Sequence, residues 1–191
     1  MIDFELVEKA TRFSLQQLET RVHTDCPKLF LLDSILHPEL LTKLYDFISE
    51  YSDDNWASEI NQEFKNRLKL NWVPESVIEE THMVIENLTD KINEIFNKQY
   101  KFLGITVWKD RYGYSISKHI DVDAIDVAMQ VYLSPDSGQD YGTEFDYNNQ
   151  TIIAKYKQNS GYLLGDKIVH SMNKPVAAED IRYSLYAIWQ R

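Results

Sequence analysis

Beyond Lys98 the chain breaks into short segments rich in β-branched and aromatic residues: "YKFLGITVWKD", "YGYSISKHI", "IDVAMQVYLS", "TIIAKYK", "GYLLGD" and "IRYSLYAIW". Turn chemistry such as "SPDSGQDYG" and "DYNNQ" separates them. No helical period intervenes. Short strands without crossover helices pair antiparallel and close on one another, which predicts a sandwich or barrel over residues 101–191.

The first hundred residues have a different texture. In "SILHPELLTKLYDFISEYS", Pro38 sits where a first helical residue is tolerated, and Leu41, Leu44, Tyr45 and Ile48 recur at helical spacing, so a helix is expected to end near Ser52 and Asp53. In "VPESVIEETHMVIENLTDKINEIFNKQY", Pro74 looks like a second helix start, and Val77, Val84, Leu88, Ile92 and Ile95 form one apolar stripe, predicting a single long helix. Residues 53–73 are polar with isolated aromatics, Trp56, Phe64 and Trp72, the composition of a surface segment folded back on the body. Its basic run "KNRLK", Lys65 to Lys69, reads as a solvated face. The first 27 residues read as either a docked helix or a flexible arm. The expected class is α+β in a single domain, 1–191: residues 1–100 give mainly helical support, and 101–191 form the β core.

At 191 residues and 43% hydrophobic, the chain can bury a substantial core. Thirty acidic against twenty basic residues give a formal charge of -10, which repels a phosphate backbone, so nucleic acid is not an expected partner. Cys26 stands alone, which removes an intramolecular disulfide, a thiolate zinc cluster and an iron–sulfur site from consideration. No run of eighteen apolar residues and no signal-like N-terminus occurs, so the expectation is a cytoplasmic protein without a membrane span.

Within the strand half, "SKHIDVDAID" places His119 and Asp121 at a two-residue spacing that a strand turns to one face. Alone, a His-x-Asp is the ordinary composition of a solvated strand end. His170 follows 49 positions after Asp121, in the otherwise apolar "KIVH", far enough for the chain to go out and return beside its starting strand. Two imidazoles and one carboxylate make a facial triad for Fe(II), with adjacent positions open to other ligands. A structural zinc site would want four closed ligands. Twelve residues on, Arg182 and Ser184 in "RYSLY" share one face of an otherwise apolar strand. A buried arginine cannot shed its charge and must meet an anion, either a ligand carboxylate or a structural acid such as Asp166 or Asp180. The aromatics Trp108, Tyr162, Tyr186 and Trp189 are expected in the core. Asp123 and Asp126 read as loop acids, and His23, His37 and His82 carry no catalytic expectation, His37 standing at a helix cap.

These residues, in order, resemble the Fe(II)/2-oxoglutarate-dependent dioxygenases, most closely their prolyl-4-hydroxylase-like branch. That pattern of H-x-D, distal H and R-x-S is matched by His119, Asp121, His170, Arg182 and Ser184. "MQVYLSPDSGQDYGTEF" is similar to the family's strand, turn and glycine segment, and "KLFLLDSILHPELLTKLYDFI" to its opening strand and helix. The likeness covers roughly residues 28–191. It departs where the family often has two glycines and this chain has Gly142 and Thr143, near the expected substrate entrance.

The resemblance implies a double-stranded β-helix, the cupin-like jelly roll, behind N-terminal helices. It implies Fe(II) on His119, Asp121 and His170, with dioxygen and 2-oxoglutarate as cosubstrates. The distal carboxylate of 2-oxoglutarate would be met by Arg182, Ser184 and Tyr132, with Tyr112 or Tyr114 as a further contact. The implied activity is hydroxylation of a peptide side chain or a small amino-acid-like molecule, with release of succinate and CO2. The alternative is a cupin-like metal-binding or interaction module without oxygenase activity, and the Arg182–Ser184 pair argues against it, because a bare metal barrel needs no anion clamp.

Overall fold

A computed structural model describes residues 1–58, 66–71, 75–122, 124–165, 167–172 and 174–191. Its strands are β1 (Val22–His23), β2 (Leu29–Leu32), β3 (Trp56–Ser58), β4 (Arg67–Leu70), β5 (Lys101–Asp110), β6 (Ile116–His119), β7 (Val127–Tyr132), β8 (Thr143–Tyr147), β9 (Gln150–Ala154), β10 (Gly161–Leu164), β11 (His170–Met172) and β12 (Arg182–Gln190). Every pairing among these strands is antiparallel. They form an eight-stranded sheet in the order β1-β2-β10-β7-β12-β5-β4-β3 and a four-stranded sheet in the order β6-β11-β8-β9. This is the expected jelly roll.

Helices α1 (Phe4–Glu19), α2 (Pro38–Glu50), α3 (Ser76–Glu86) and α4 (Thr89–Phe96) cover the outer face of the large sheet. Period-two alternation divides its central strands. Val127, Met129 and Val131 of β7 and Tyr183, Leu185, Ala187 and Trp189 of β12 join Leu40, Leu44, Val84 and Ile85 of the helices in one core. The alternate residues, Gln130 and Tyr132, Arg182 and Ser184, Trp108 and Asp110, are left for the space between the sheets.

The N-terminal segment is the docked helix of the two expected forms. Asp3 caps α1 by accepting the Leu6 N–H at 3.0 Å, and its own N–H donates to the buried Glu80 carboxylate at 2.9 Å. His37 caps α2 ahead of Pro38. The single long helix expected after Pro74 is instead two. At the junction the Thr89 hydroxyl donates to the Glu86 carbonyl at 2.6 Å and accepts from the Trp189 indole at 3.1 Å, anchoring the break on β12. Leu88 keeps right-handed helical dihedrals across the break, so the apolar stripe runs on, and α4 ends at left-handed Asn97, φ 50°.

Residues 53–73 are more than a surface segment. They supply β3 and β4, which extend the large sheet beyond β5 and place Arg67 opposite Asp110. Phe64, Lys65, Trp72, Pro74, Asp123 and Asp166 lie outside the described residues.

Candidate metal and cosubstrate site

β6 and β11 pair with His119 directly opposite His170, so two imidazoles stand side by side at the sheet edge, ring centroids 4.3 Å apart. Asp121 follows just beyond the end of β6 and turns its carboxylate between them. Its Oδ1 lies 3.9 Å from His119 Nε2 and 3.7 Å from His170 Nε2. The three ligating atoms lie within 4.8 Å of one another, the one such cluster of three or more among the described residues.

The hydrogen bonds behind the rings set their tautomers. His119 Nδ1 is 2.9 Å from the Ser117 carbonyl and His170 Nδ1 is 2.9 Å from the Ile168 carbonyl. A carbonyl only accepts, so each Nδ1 carries the proton and each Nε2 offers its lone pair toward Asp121. Burial holds the His170 pKa below the ordinary imidazole value, and the Asp121 carboxylate only partly opposes that shift. A neutral imidazole is the ligating form. Two imidazole nitrogens, one carboxylate oxygen and no thiolate fit an iron-type facial triad.

The triad opens onto a cavity of about 490 Å³ between the sheets, lined among others by Arg67, Trp108, Gln130, Thr143, Tyr162, Arg182 and Tyr186. Arg182, 2% exposed, has its Nη1 2.5 Å from Asp110 Oδ2. The acid it meets is Asp110, not Asp180, which accepts from Tyr141 and Ser137. Arg67 grips the same carboxylate through Nε at 2.6 Å and Nη2 at 2.9 Å. Burial is the largest single influence and pulls the pKa of both arginines down, but Asp110 and the neighbouring tyrosines together oppose it and the net shift is upward. Both guanidiniums stay charged. Among the described residues, Arg182 Nε and Ser184 Oγ are buried without a hydrogen-bond partner. Arg182 lines the cavity, where its free donor fits a site awaiting an acceptor, and Ser184 is not among the lining residues.

Tyr132, expected as a donor to the cosubstrate, has its hydroxyl hydrogen-bonded within the protein. Its hydroxyl accepts the Thr143 N–H at 3.0 Å and is within reach of Thr143 Oγ1 at 3.0 Å and the Ala154 carbonyl at 3.3 Å, so its hydrogen is engaged. Its ring instead supports the Arg182 guanidinium, 5.1 Å from the centroid. Tyr112 is 67% exposed and does not line the cavity, whereas Tyr114 is buried under the Arg67 guanidinium, 4.3 Å from its ring centroid.

Trp108, Tyr162 and Tyr186, expected in the core, all line the cavity, and Tyr162 also keeps its core place, 2% exposed and packed with Phe145, Leu164 and Ile168. The Tyr186 hydroxyl donates to Asp121 Oδ2 at 3.0 Å, and Tyr162 donates to Gln130 Oε1 at 2.8 Å. The signal for Tyr186 was the same period of two that joins Arg182 to Ser184. Arg67 gave none, because only the pairing of β4 with β5 turns it inward. Its run "KNRLK" is no solvated face at this residue: the Arg67 side chain is 14% exposed.

No protein-family model matches the sequence, and no curated protein sequence matches it. Solved structures do match in fold. A prolyl-4-hydroxylase from Pseudomonas putida superposes with a TM-score of 0.70 at 12% identity, covering 95% of this chain and 98% of that one. A Trichoplax adhaerens prolyl hydroxylase, in complex with a peptide fragment of the hypoxia-inducible-factor oxygen degradation domain, gives 0.64 at 15% identity, with 98% and 91% coverage. HygX from Streptomyces hygroscopicus, with nickel and 2-oxoglutarate bound, gives 0.66 at 11% identity, with 92% and 86% coverage. The chain therefore has the fold of the 2-oxoglutarate/Fe(II) oxygenases, in its prolyl-hydroxylase-like form.

Proposed function

We propose that the protein is an Fe(II)- and 2-oxoglutarate-dependent dioxygenase that hydroxylates a peptide side chain or a small amino-acid-like molecule. The observation that carries this reading is the convergence of His119 Nε2, His170 Nε2 and Asp121 Oδ1 in the lining of a cavity that Arg182 also lines, with Arg182 Nε without a hydrogen-bond partner among the described residues. A metal triad alone suits many binding modules. A triad sharing a cavity with a buried cation suits a ligand that chelates a metal at one end and carries a carboxylate at the other.

His119, Asp121 and His170 would hold Fe(II), with their orientation fixed from behind by Ser117, Tyr186 and Ile168. The bound metal, with 2-oxoglutarate and dioxygen, supplies the oxidising chemistry, in which 2-oxoglutarate leaves as succinate and CO2 while the substrate gains oxygen. The protein's part is to orient and to keep water out. Arg182 and Ser184 would take the distal carboxylate. Ile116, Ile120, Val122, Ile125 and Met172 surround the cavity near the triad with apolar surface, which favours a substrate presenting a C–H bond over a strongly hydrated one.

Calorimetric titration of 2-oxoglutarate tests this reading. Binding is expected when Mn(II) is present, and it is expected to weaken strongly without metal and in His170→Ala. Metal binding without any 2-oxoglutarate binding would instead support the cupin-like module.

A further inference from the structure

Arg67, Asp110 and Arg182 occupy one row across three adjacent strands, with Arg67 opposite Asp110 and Asp110 opposite Arg182. Asp110 is fully buried, and its Oδ2 receives both Arg67 Nη2 and Arg182 Nη1. Two guanidiniums and one carboxylate leave a single positive charge. Without Arg67 the remaining pair would be neutral, and an incoming carboxylate would meet Asp110 at close range in a low-dielectric site.

Arg67 is itself held in place. Its guanidinium lies 4.9 Å from the Trp108 ring centroid and 4.3 Å from that of Tyr114, and its two bonds to Asp110 are fork-like. Arg182 spends only Nη1 on Asp110, and its Nε remains without a partner among the described residues. The division of labour follows: one arginine cancels the acid, the other keeps a donor for a ligand. The charge balance of the whole cavity agrees. A divalent ion on the single carboxylate of Asp121 retains one positive charge, the arginine row supplies a second, and 2-oxoglutarate brings two negative charges, one for each end.

Resting on the proposed function, we infer that Arg67 is a positioning residue of the cosubstrate site: by cancelling Asp110 it keeps Arg182 a net cation for the distal carboxylate of 2-oxoglutarate. Asp110 in turn fixes where the Arg182 guanidinium sits.

The test is calorimetric titration of 2-oxoglutarate into Mn(II)-loaded wild type, Arg67→Met, Arg67→Lys and the double variant Arg67→Met/Asp110→Asn, with Mn(II) affinity and thermal melting followed in each. Arg67→Met should weaken 2-oxoglutarate binding by about 10- to 100-fold, the worth of one charged hydrogen-bonded contact. Arg67→Lys keeps the charge but not the fork, so it should bind more tightly than Arg67→Met, and the double variant removes the acid that needs cancelling, so it should bind within about threefold of wild type. Mn(II) affinity should not change. Unchanged binding in Arg67→Met, or a double variant as weak as Arg67→Met, overturns the inference and leaves the proposed function standing. If Arg67→Met does not fold, the double variant decides: near-wild-type binding supports the inference and weak binding overturns it. Failure of wild type to bind 2-oxoglutarate overturns the proposed function and this inference together.

Discussion

Tyr186 donates its hydroxyl to Asp121 Oδ2 at 3.0 Å, leaving Oδ1 as the oxygen that faces the two histidines. A carboxylate tethered by one oxygen ligates through the other. Tyr186→Phe should therefore lower divalent-metal affinity on the order of 10- to 100-fold, as loss of a partner behind a ligand does elsewhere. Manganese titration followed by electron paramagnetic resonance checks it, with an unchanged melting temperature separating loss of the tether from loss of the fold.

Gly161 opens β10 where it passes β7. A Cβ there would lie 1.8 Å from the Gln130 carbonyl oxygen, a backbone atom that cannot swing aside. Gly161→Ala should cost about 2–3 kcal/mol or more, the upper range for forced overpacking. Because the Gln130 side chain lines the cavity, 2-oxoglutarate binding should weaken as well. Urea unfolding and calorimetry on the same preparation check both.

Leu44 of α2 is fully buried in the core on the other face of the large sheet. Leu44→Ala should destabilise the protein by about 2–5 kcal/mol through lost burial and a residual void. Metal affinity should not follow, since the cavity lies on the opposite side of β7 and β12. Chemical denaturation beside a manganese titration measures the two separately.

Burial is the main cause that raises the phenol pKa of Tyr156 and Tyr183 to about 12 each. The unfolded chain releases these protons near 10, so the native state holds them more tightly. Stability should be intact below about pH 10 and fall as pH rises from about 10 to 12. An absorbance titration of tyrosinate should show a class that ionises only as the protein unfolds.

The jelly roll was legible because its strands are short, β-rich and separated by turn residues with no helix between, and the triad because His119, Asp121 and His170 keep the spacing that pairs β6 with β11. What escaped was set by partners distant in sequence. Arg67 reads as one of a basic run until β4 pairs with β5 and brings it to an acid 43 positions away. The break between α3 and α4 is invisible to periodicity, since the apolar stripe continues through it and the anchor is Trp189 of the last strand. Tyr132 and Tyr162 look alike as strand tyrosines. Hydrogen bonds to β8 and β9 occupy the first, while the second lines the cavity.

If the proposed function holds, the triad and the arginine site act on one ligand. Anaerobic Fe(II)-loaded protein mixed with 2-oxoglutarate should develop the weak visible metal-to-ligand charge-transfer band of a chelated 2-oxo acid. The band should be absent in His170→Ala and should need far more 2-oxoglutarate in Arg182→Ala. A folded wild-type protein that holds Fe(II) and shows no band at saturating 2-oxoglutarate would contradict the account.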